Sequence, residues 1–165
     1  MSADVTVREA RPEDYEGLSR LTVAAYKHLL GEDMSPGYVA ELADVAGRSE
    51  VADLLVAVDD TGTLVGGIAY VPGPGPLAWF GEPDLAGLRM LAVAPEAQGR
   101  GVGAALIAAS VARARRAGKR GLLLHTTASM MAAQRLYQRA GFRRDLDRDQ
   151  IFDGGLHLIA YALDL

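Results

Sequence analysis

Three glycines at alternate positions precede a helix-forming run in APEAQGRGVGAALI, residues 94–107: Gly99, Gly101 and Gly103. The N-terminus of a helix has unpaired N–H groups and the positive end of the helix dipole, so it attracts anions. Glycines in the preceding loop let a phosphate come within hydrogen-bond reach of those N–H groups. The segment therefore predicts a pyrophosphate-binding loop.

Two other interpretations of the segment stay open. A tight strand-to-helix turn also uses glycine, for its positive φ. Gly99, Gly101 and Ala104 also fit the dinucleotide pattern G-x-G-x-x-A, but the next strand ends in HTT, residues 125–127, where that fold has an acidic residue. A P-loop is excluded because no Lys-Ser/Thr pair follows the glycines.

The sequence offers little for thiol or metal chemistry. It has no cysteine, which excludes disulfides, thiolate metal ligands and a cysteine nucleophile. Its three histidines, His28, His125 and His157, are far apart and have no metal-ligand spacing. We expect no metal site.

A strand, a helix and a second strand must position the glycine loop. GLRMLAV, residues 87–93, predicts a strand that Pro95 ends, and the glycines lead into a helix over about 103–117. GLLLHTT, residues 121–127, predicts a buried strand. Elements in this order form a crossover with parallel strands.

The other segments complete an α/β domain with a mixed sheet, largely antiparallel in its N-terminal half. Proline and capping signals predict helices from about Pro12 and from Ser35 through about Ala46, and a later helix over about 130–140. Period-2 or buried apolar patterns predict strands at 4–9, 53–58, 63–71, near Phe142 and at 156–165, with a long loop over 71–84.

Size and charge restrict the class of protein further. A chain of 165 residues, 50% hydrophobic and 23% charged, suits one compact domain, 1–165. A net charge of −4 argues against a broad nucleic-acid surface. No apolar run is long enough to span a bilayer and no export signal is recognisable, so we expect a cytoplasmic protein without membrane contact.

Two motifs resemble those of the GNAT superfamily of acyl-CoA-dependent N-acyltransferases. Its central motif, Val-x-Pro followed by Gln/Arg-x-x-Gly-x-Gly/Ala, is matched by Val93, Pro95, Gln98, Gly101 and Gly103. AAQRLYQRAGF, residues 132–142, is similar to its second pattern, Ala-x-x-Leu-Tyr-x-x-x-Gly-Phe. Together, in this order, the motifs are specific, and the element order fits the family's single domain.

The resemblance implies about four helices around the sheet, a parallel strand pair splayed at the cofactor site, and acetyl-CoA as co-substrate. The resemblance also implies that backbone groups of the central motif hold the coenzyme. The residues concerned are Leu91, Ala92, Val93, Gln98, Gly99, Arg100, Gly101, Val102, Gly103 and Ala104. The family often has an asparagine seven residues before the tyrosine. Met130 stands there, so that polar contact is missing or supplied elsewhere, for example by Ser129.

Acyl transfer from sulfur to an amine requires a neutral amine, an oxyanion donor and a proton for the leaving thiolate. A main-chain N–H of residues 91–93 is the expected oxyanion donor. The resemblance places the hydroxyl of Tyr137 near the sulfur as proton donor, and the alternative is a core aromatic.

Three side chains are candidates for the base that accepts the amine proton. Glu82 and Asp84 lie in the long loop, where the alternative is a solvated charge. His125 ends a strand near the expected acyl site and titrates near neutral pH, and it can equally be a half-buried structural histidine.

The acceptor pocket has its own candidates. Trp79, next to Phe80, would form a wall of the pocket or anchor the loop, and the resemblance implies a rim around Tyr26 and Tyr38. The arginines of 113–120 would meet the 3′-phosphate of coenzyme A or be a solvated helix end.

The sequence therefore predicts transfer of an acetyl group from acetyl-CoA to a primary amine of a small molecule or peptide, by direct attack in a ternary complex. The alternatives are a non-catalytic acyl-CoA-binding or sensing domain and, less favoured, a dinucleotide-dependent enzyme. A homodimer is the default assembly.

Overall fold

The computed structural model describes residues 4–165 and contains one mixed sheet. Its strands are β1 (Thr6–Glu9), β2 (Asp53–Val58), β3 (Leu64–Val71), β4 (Leu85–Val93), β5 (Gly121–Thr126), β6 (Arg143–Arg144), β7 (Gln150–Ile151) and β8 (His157–Asp164). The spatial order is β1-β2-β3-β4-β5-β8-β6, and β7 pairs with β8. Only β4 and β5 pair in parallel among the described strands, which confirms the predicted mixed, mostly antiparallel sheet.

In the described part of the chain, five α-helices cover the two faces of the sheet: α1 (Tyr15–Leu30), α2 (Pro36–Ala43), α3 (Val45–Ser49), α4 (Val102–Arg116) and α5 (Met131–Arg139). Successive residues of a strand point to opposite faces. A Cβ on Gly66 would meet α4, whereas one on Gly67 would meet α1, so these helices lie on opposite faces. Within residues 4–165, no helix combines the length and apolar character needed to cross a bilayer.

The prediction of one helix from Ser35 through Ala46 was wrong, because the chain turns at Asp44. Asp44 leaves the helical region at φ −81° and ψ 68°, and its carboxylate accepts the N–H of Gly47 at 3.0 Å. Asp44 therefore ends α2 and caps α3. The buried Arg48 donates to the carbonyl oxygens of Glu41 and Leu42 at the end of α2, which fixes the two short helices together.

The turn between β2 and β3 confirms the predicted hairpin. The carboxylate of Asp59 accepts the N–H groups of Thr61 at 2.9 Å and Thr63 at 3.0 Å, as aspartate does in tight turns. The long loop then occupies residues 72–84, and β4 begins at Leu85, two residues before the predicted start.

Candidate active site

The parallel strands β4 and β5 separate at the middle of the sheet. They are paired from Leu85 opposite Gly121 to Leu88 opposite Leu124, and no further. Beyond this point β5 continues along β8, while residues 89–93 of β4 stay paired only with β3. The edge of β4 that faces β5 is therefore open over these residues, which confirms the predicted splayed pair.

A β-bulge turns β4 at the same place. Met90 and Leu91 together oppose the single residue Ile68 of β3, and Met90 has a φ of 57°. A non-glycine residue in this region costs of order 1–3 kcal/mol and persists where the surroundings impose it. Bulges of this kind bend a strand and redirect its groups. The bulge thus contributes to the separation, and Met90 has no local sequence signal that predicts it.

The loop between β4 and α4 presents a row of unpaired backbone donors. Gly99 and Gly101 have φ angles of 77° and 80°, and Gly101 is the N-cap of α4. Within the described part of the chain, the six N–H groups from Gly99 to Ala104 donate to no protein atom. Such donors at a helix N-terminus fit a pyrophosphate, as a coenzyme A site requires.

Gly103 is a glycine for a different reason from the other two. It is buried in the first turn of α4, and a Cβ on it would lie 2.8 Å from Cδ2 of Leu136 in α5. The side chain is absent because the two helices pack closely there. Gly99, in contrast, has open space on its Cβ side and a left-handed backbone.

A cavity of about 130 Å³ opens beside the separated strands. Residues from α1, α2, the 72–84 loop, β4, β5 and α5 line it. Those that the following argument uses are Tyr26, Tyr38, Trp79, Arg89, His125 and Tyr137.

Tyr137 lies at this cavity on α5. Its ring packs against Phe142 and Tyr161, with centroids 6.1 and 6.3 Å away. Its hydroxyl has no hydrogen-bond partner among residues 4–165, and burial raises the pKa of Tyr137 to about 12. The phenol is therefore protonated at neutral pH and able to donate. The alternative of a core aromatic is also met, because the ring packs against Phe142 and Tyr161 while its hydroxyl stays free to donate.

His125 has a defined tautomer. Its Nε2 lies 2.7 Å from the carbonyl oxygen of Arg148, which can only accept, so Nε2 carries the proton. The other ring nitrogen, Nδ1, keeps its lone pair. Burial, followed by the nearby positive charges of Arg89 and Arg148, lowers the pKa of His125 below 6.5 despite that hydrogen bond. The ring is therefore neutral at neutral pH.

The two loop carboxylates are engaged in ion pairs and do not line the cavity. Asp84 accepts from Nε of Arg120 at 2.6 Å. Glu82 binds Arg148, and this hydrogen bond is the main cause that lowers the pKa of Glu82. Because Arg148 also supplies the carbonyl that binds His125, Glu82 contacts the site through that residue. No local sequence pattern predicts this contact, since Glu82 and Arg148 are 66 residues apart.

Trp79 joins several candidate residues. Its ring contacts His125 edge-on at 4.8 Å, and the guanidinium carbon of Arg89 lies 4.6 Å from its ring centre. Tyr26 and Tyr38 form an edge-to-face pair at 6.4 Å, and both line the cavity. The structure therefore brings Trp79, Tyr26 and Tyr38 to one cavity, together with Arg89, which the sequence analysis did not single out.

The remaining candidates lie around the start and end of α4 and at the start of α5. Arg113 pairs with Glu9 at 2.6 Å and Asp53 at 3.2 Å, so that arginine is bound by this chain's own carboxylates. The hydroxyl of Ser129 bonds that of Thr127 at 3.0 Å. Met130 lines the cavity, and its sulfur accepts from the Thr126 hydroxyl at 3.6 Å.

Comparison with known proteins identifies the family. The profile of the Acetyltransferase (GNAT) family matches residues 16–142. A mycothiol acetyltransferase from an Arthrobacter species is 30% identical over 150 residues, which are 86% of this chain and 43% of that protein. The chain thus spans less than half the length of the curated relatives it matches.

Solved structures share the same fold. A GNAT family acetyltransferase from Brucella melitensis, in complex with acetyl-CoA, is 26% identical with a TM-score of 0.67, and the match covers 98% of this chain and 88% of that one. An acetyltransferase of the GNAT family from Staphylococcus aureus is 16% identical with a TM-score of 0.77, over 98% and 99% of the two chains, and shows the fold alone. The chain therefore belongs to the acetyltransferase (GNAT) family, as its two motifs predicted.

Proposed function

We propose that this chain transfers an acetyl group from acetyl-CoA to the primary amine of a small acceptor, by direct attack in a ternary complex. The observation that carries the proposal is the open edge of β4, which lies between the unpaired donors of residues 99–104 and a cavity that holds both a protonated phenol and a neutral imidazole.

Backbone groups of the protein support the binding of acetyl-CoA. The N–H groups of residues 99–104 bind the pyrophosphate of coenzyme A, and the unpaired edge of β4 at 89–93 contacts the pantetheine arm and the thioester. A β4 N–H near Leu91 donates to the thioester oxygen as it becomes negative. Removing one such donor typically costs about 3 kcal/mol of transition-state stabilisation.

The two cavity side chains have complementary roles in the proton transfers. The amine nitrogen attacks the thioester carbon, the C–N bond forms, and the C–S bond breaks. Nδ1 of His125 accepts the proton that the amine loses, and Tyr137 donates a proton to the departing thiolate. The proton collected by His125 returns to Tyr137 through solvent, so that the products are an N-acetyl amine and free coenzyme A.

Thiol release and thermal shift together test the proposal. Release of coenzyme A from acetyl-CoA is measured with a panel of amines, and the melting temperature is measured with coenzyme A and with NAD. We expect a shift with coenzyme A and amine-dependent thiol release. A shift without turnover on any amine would favour an acyl-CoA-binding domain, which the methionine at position 130 supports. A shift with NAD alone would favour a dinucleotide enzyme.

A further inference from the structure

One side chain of fixed charge faces the candidate active-site cavity. Among the described residues that line it, Arg89 is the only one with a permanent charge, and none is acidic. The histidine there, His125, is neutral at neutral pH because its pKa is lowered. The one fixed charge on the wall of the cavity is thus positive, although the chain has a net charge of −4.

Arg89 is held in place while most of its donors stay free. Its guanidinium carbon lies 4.6 Å from the ring centre of Trp79, and its Nη1 donates to the Leu77 carbonyl at 3.3 Å. Its Nη2 forms an ion pair with a carboxylate oxygen of Glu41 at 3.9 Å, a distance too long for a hydrogen bond. A guanidinium has five N–H donors, so a carboxylate can still bind it in the two-bond geometry.

The position of Arg89 relative to His125 sets an upper limit on the length of a ligand that contacts both. Both side chains contact the ring of Trp79, at 4.6 and 4.8 Å, so they are about 10 Å apart at most. With a hydrogen bond of about 3 Å at each end, a molecule whose amine and carboxylate are a few bonds apart spans that distance. The phenols of Tyr26 and Tyr38 line the same cavity and offer further donors.

We propose that the acceptor is a primary amine that also carries a carboxylate, as an amino acid does, and that Arg89 is the residue that selects it by binding the carboxylate. The inference rests on the proposed function. A polycationic amine would place a second positive charge beside Arg89, and the nearest carboxylate, that of Glu41, lies outside the cavity lining and is already paired with Arg89, so such acceptors are disfavoured.

Matched acceptor pairs test the inference. Thiol release from acetyl-CoA is measured with free L-amino acids, with their carboxamides, and with the amines that lack the carboxyl group. We expect kcat/KM to be about 10- to 100-fold higher for the acid than for the amide of the preferred amino acid, the range for a charged hydrogen-bonded pair. An amide used as well as its acid would overturn the inference while leaving the acetyltransferase function intact.

Variants connect the preference to Arg89. Arg89→Met keeps the apolar stem against Trp79 and should reduce the acid-to-amide ratio to near one, whereas Arg89→Lys should keep part of it. Glu41→Gln removes the nearby carboxylate and should lower KM for the acid. Arg113→Met is the control, because Arg113 also lies over an aromatic ring, that of Tyr70, but outside the cavity. An unchanged ratio in Arg89→Met would overturn the inference.

A binding measurement gives a result that does not depend on turnover. Titration calorimetry with the coenzyme A complex compares an N-acetyl amino acid with its carboxamide. We expect the acid to bind at least about 10-fold more tightly, and Arg89→Met to remove the difference. If no amine supports thiol release and the acid binds no more tightly, the proposed function and the inference both fail.

Discussion

At the scale of single residues, the candidate site depends on two side chains that burial keeps uncharged. Tyr137 has a pKa of about 12 and His125 a pKa below 6.5, and in both cases burial is the largest cause. A protonated phenol donates and a neutral imidazole accepts over the same range of neutral pH. This environment supports the proposed roles of Tyr137 as acid and His125 as base.

Replacing Tyr137 by phenylalanine should lower kcat by about 100- to 1000-fold, the contribution expected of a general acid. The affinity for coenzyme A should not change. A thioester whose thiol is strongly acidic needs no proton on leaving, so with such a donor Tyr137→Phe should recover most of the rate.

Tyr70→Phe is the matched control for Tyr137. The hydroxyl of Tyr70 is buried without a hydrogen-bond partner among residues 4–165, so its removal should leave the rate unchanged. If Tyr137→Phe behaves like Tyr70→Phe, or if the activated thioester gives no recovery, Tyr137 is not the proton donor.

The pH dependence of kcat should report His125. Because its pKa is lowered from 6.5, the base is neutral above that pH, and kcat should fall only as the pH drops below about 6.5. Tyr137 should add no loss on the alkaline side until near pH 12. His125→Asn should lower kcat and remove the acidic fall, whereas the exposed His28→Asn should change neither. If the kcat of His125→Asn still falls at acidic pH, a group other than His125 causes the fall.

At the scale of elements, the sequence predicted features that local chemistry determines. The positive φ angles of Gly99 and Gly101 are local requirements, and so is the Asp59 turn. Asp44 is a local signal too, because its carboxylate caps the helix that contains Gly47. The prediction of one continuous helix over residues 35–46 overlooked this cap. The bulge at Met90 depends on pairing with β3, and the absence of a side chain at position 103 depends on Leu136, so neither could be predicted from neighbouring residues.

The glycine loop gives a prediction that separates binding from folding. Gly101 lies at the N-terminus of α4 and Gly118 just after its C-terminus, and both have positive φ, 80° and 71°. Alanine at either position should cost about 1–2 kcal/mol of folding free energy. Only Gly101→Ala should also weaken coenzyme A binding, by about 10-fold or more, since it disturbs the free N–H groups.

Calorimetric titration with coenzyme A and thermal melting measure the two effects in parallel. Gly103→Ala is a poor choice for this test, because its Cβ would lie 2.8 Å from the side chain of Leu136 and would disturb α5. Equal coenzyme A affinities for Gly101→Ala and Gly118→Ala would contradict the proposed role of the loop.

At the scale of the whole molecule, hydrogen bonds to the carboxylate of Asp149 hold together the C-terminal part of the sheet. Its carboxylate accepts from Arg144 at 2.6 and 2.8 Å, from the N–H of Ala160 at 2.8 Å, and from His157 at 2.9 Å. The Arg144 hydrogen bonds are the main cause that holds the pKa of Asp149 well below its usual range. One carboxylate therefore links residues on either side of β7.

Asp149→Asn should lower the free energy of unfolding by about 1–3 kcal/mol, and the melting temperature by roughly 3–10 °C. A carboxylate with a lowered pKa contributes its stability above the unfolded-state pKa of about 4 and loses it as the pH falls. The difference in free energy of unfolding between Asp149→Asn and the wild type should therefore become smaller below about pH 4. The exposed Asp147→Asn is the control and should melt like the wild type.

The family and the order of elements could be predicted, because motifs and hydrophobic periodicity are formed by residues that are close together in the sequence. Contacts between distant segments could not, and the site depends on several of them. Arg148 illustrates this, since it binds Glu82 of the long loop and His125 of β5, 66 and 23 residues away. No spacing rule connects these positions, so the sequence alone leaves the loop carboxylates as candidates for the base, whereas the structure shows both in ion pairs.

The separation of β4 from β5 also has a kinetic consequence. The glycine loop begins α4 on one face of the sheet, while Tyr26 and Tyr38 approach the opening from the helices of the other face. If acetyl-CoA binds from the side of the glycine loop and the amine from the other side, as the proposed function requires, neither substrate has to leave before the other enters. Double-reciprocal plots for the two substrates should then intersect, and parallel lines would instead indicate an acetylated enzyme, in a chain that has no cysteine to carry the acetyl group.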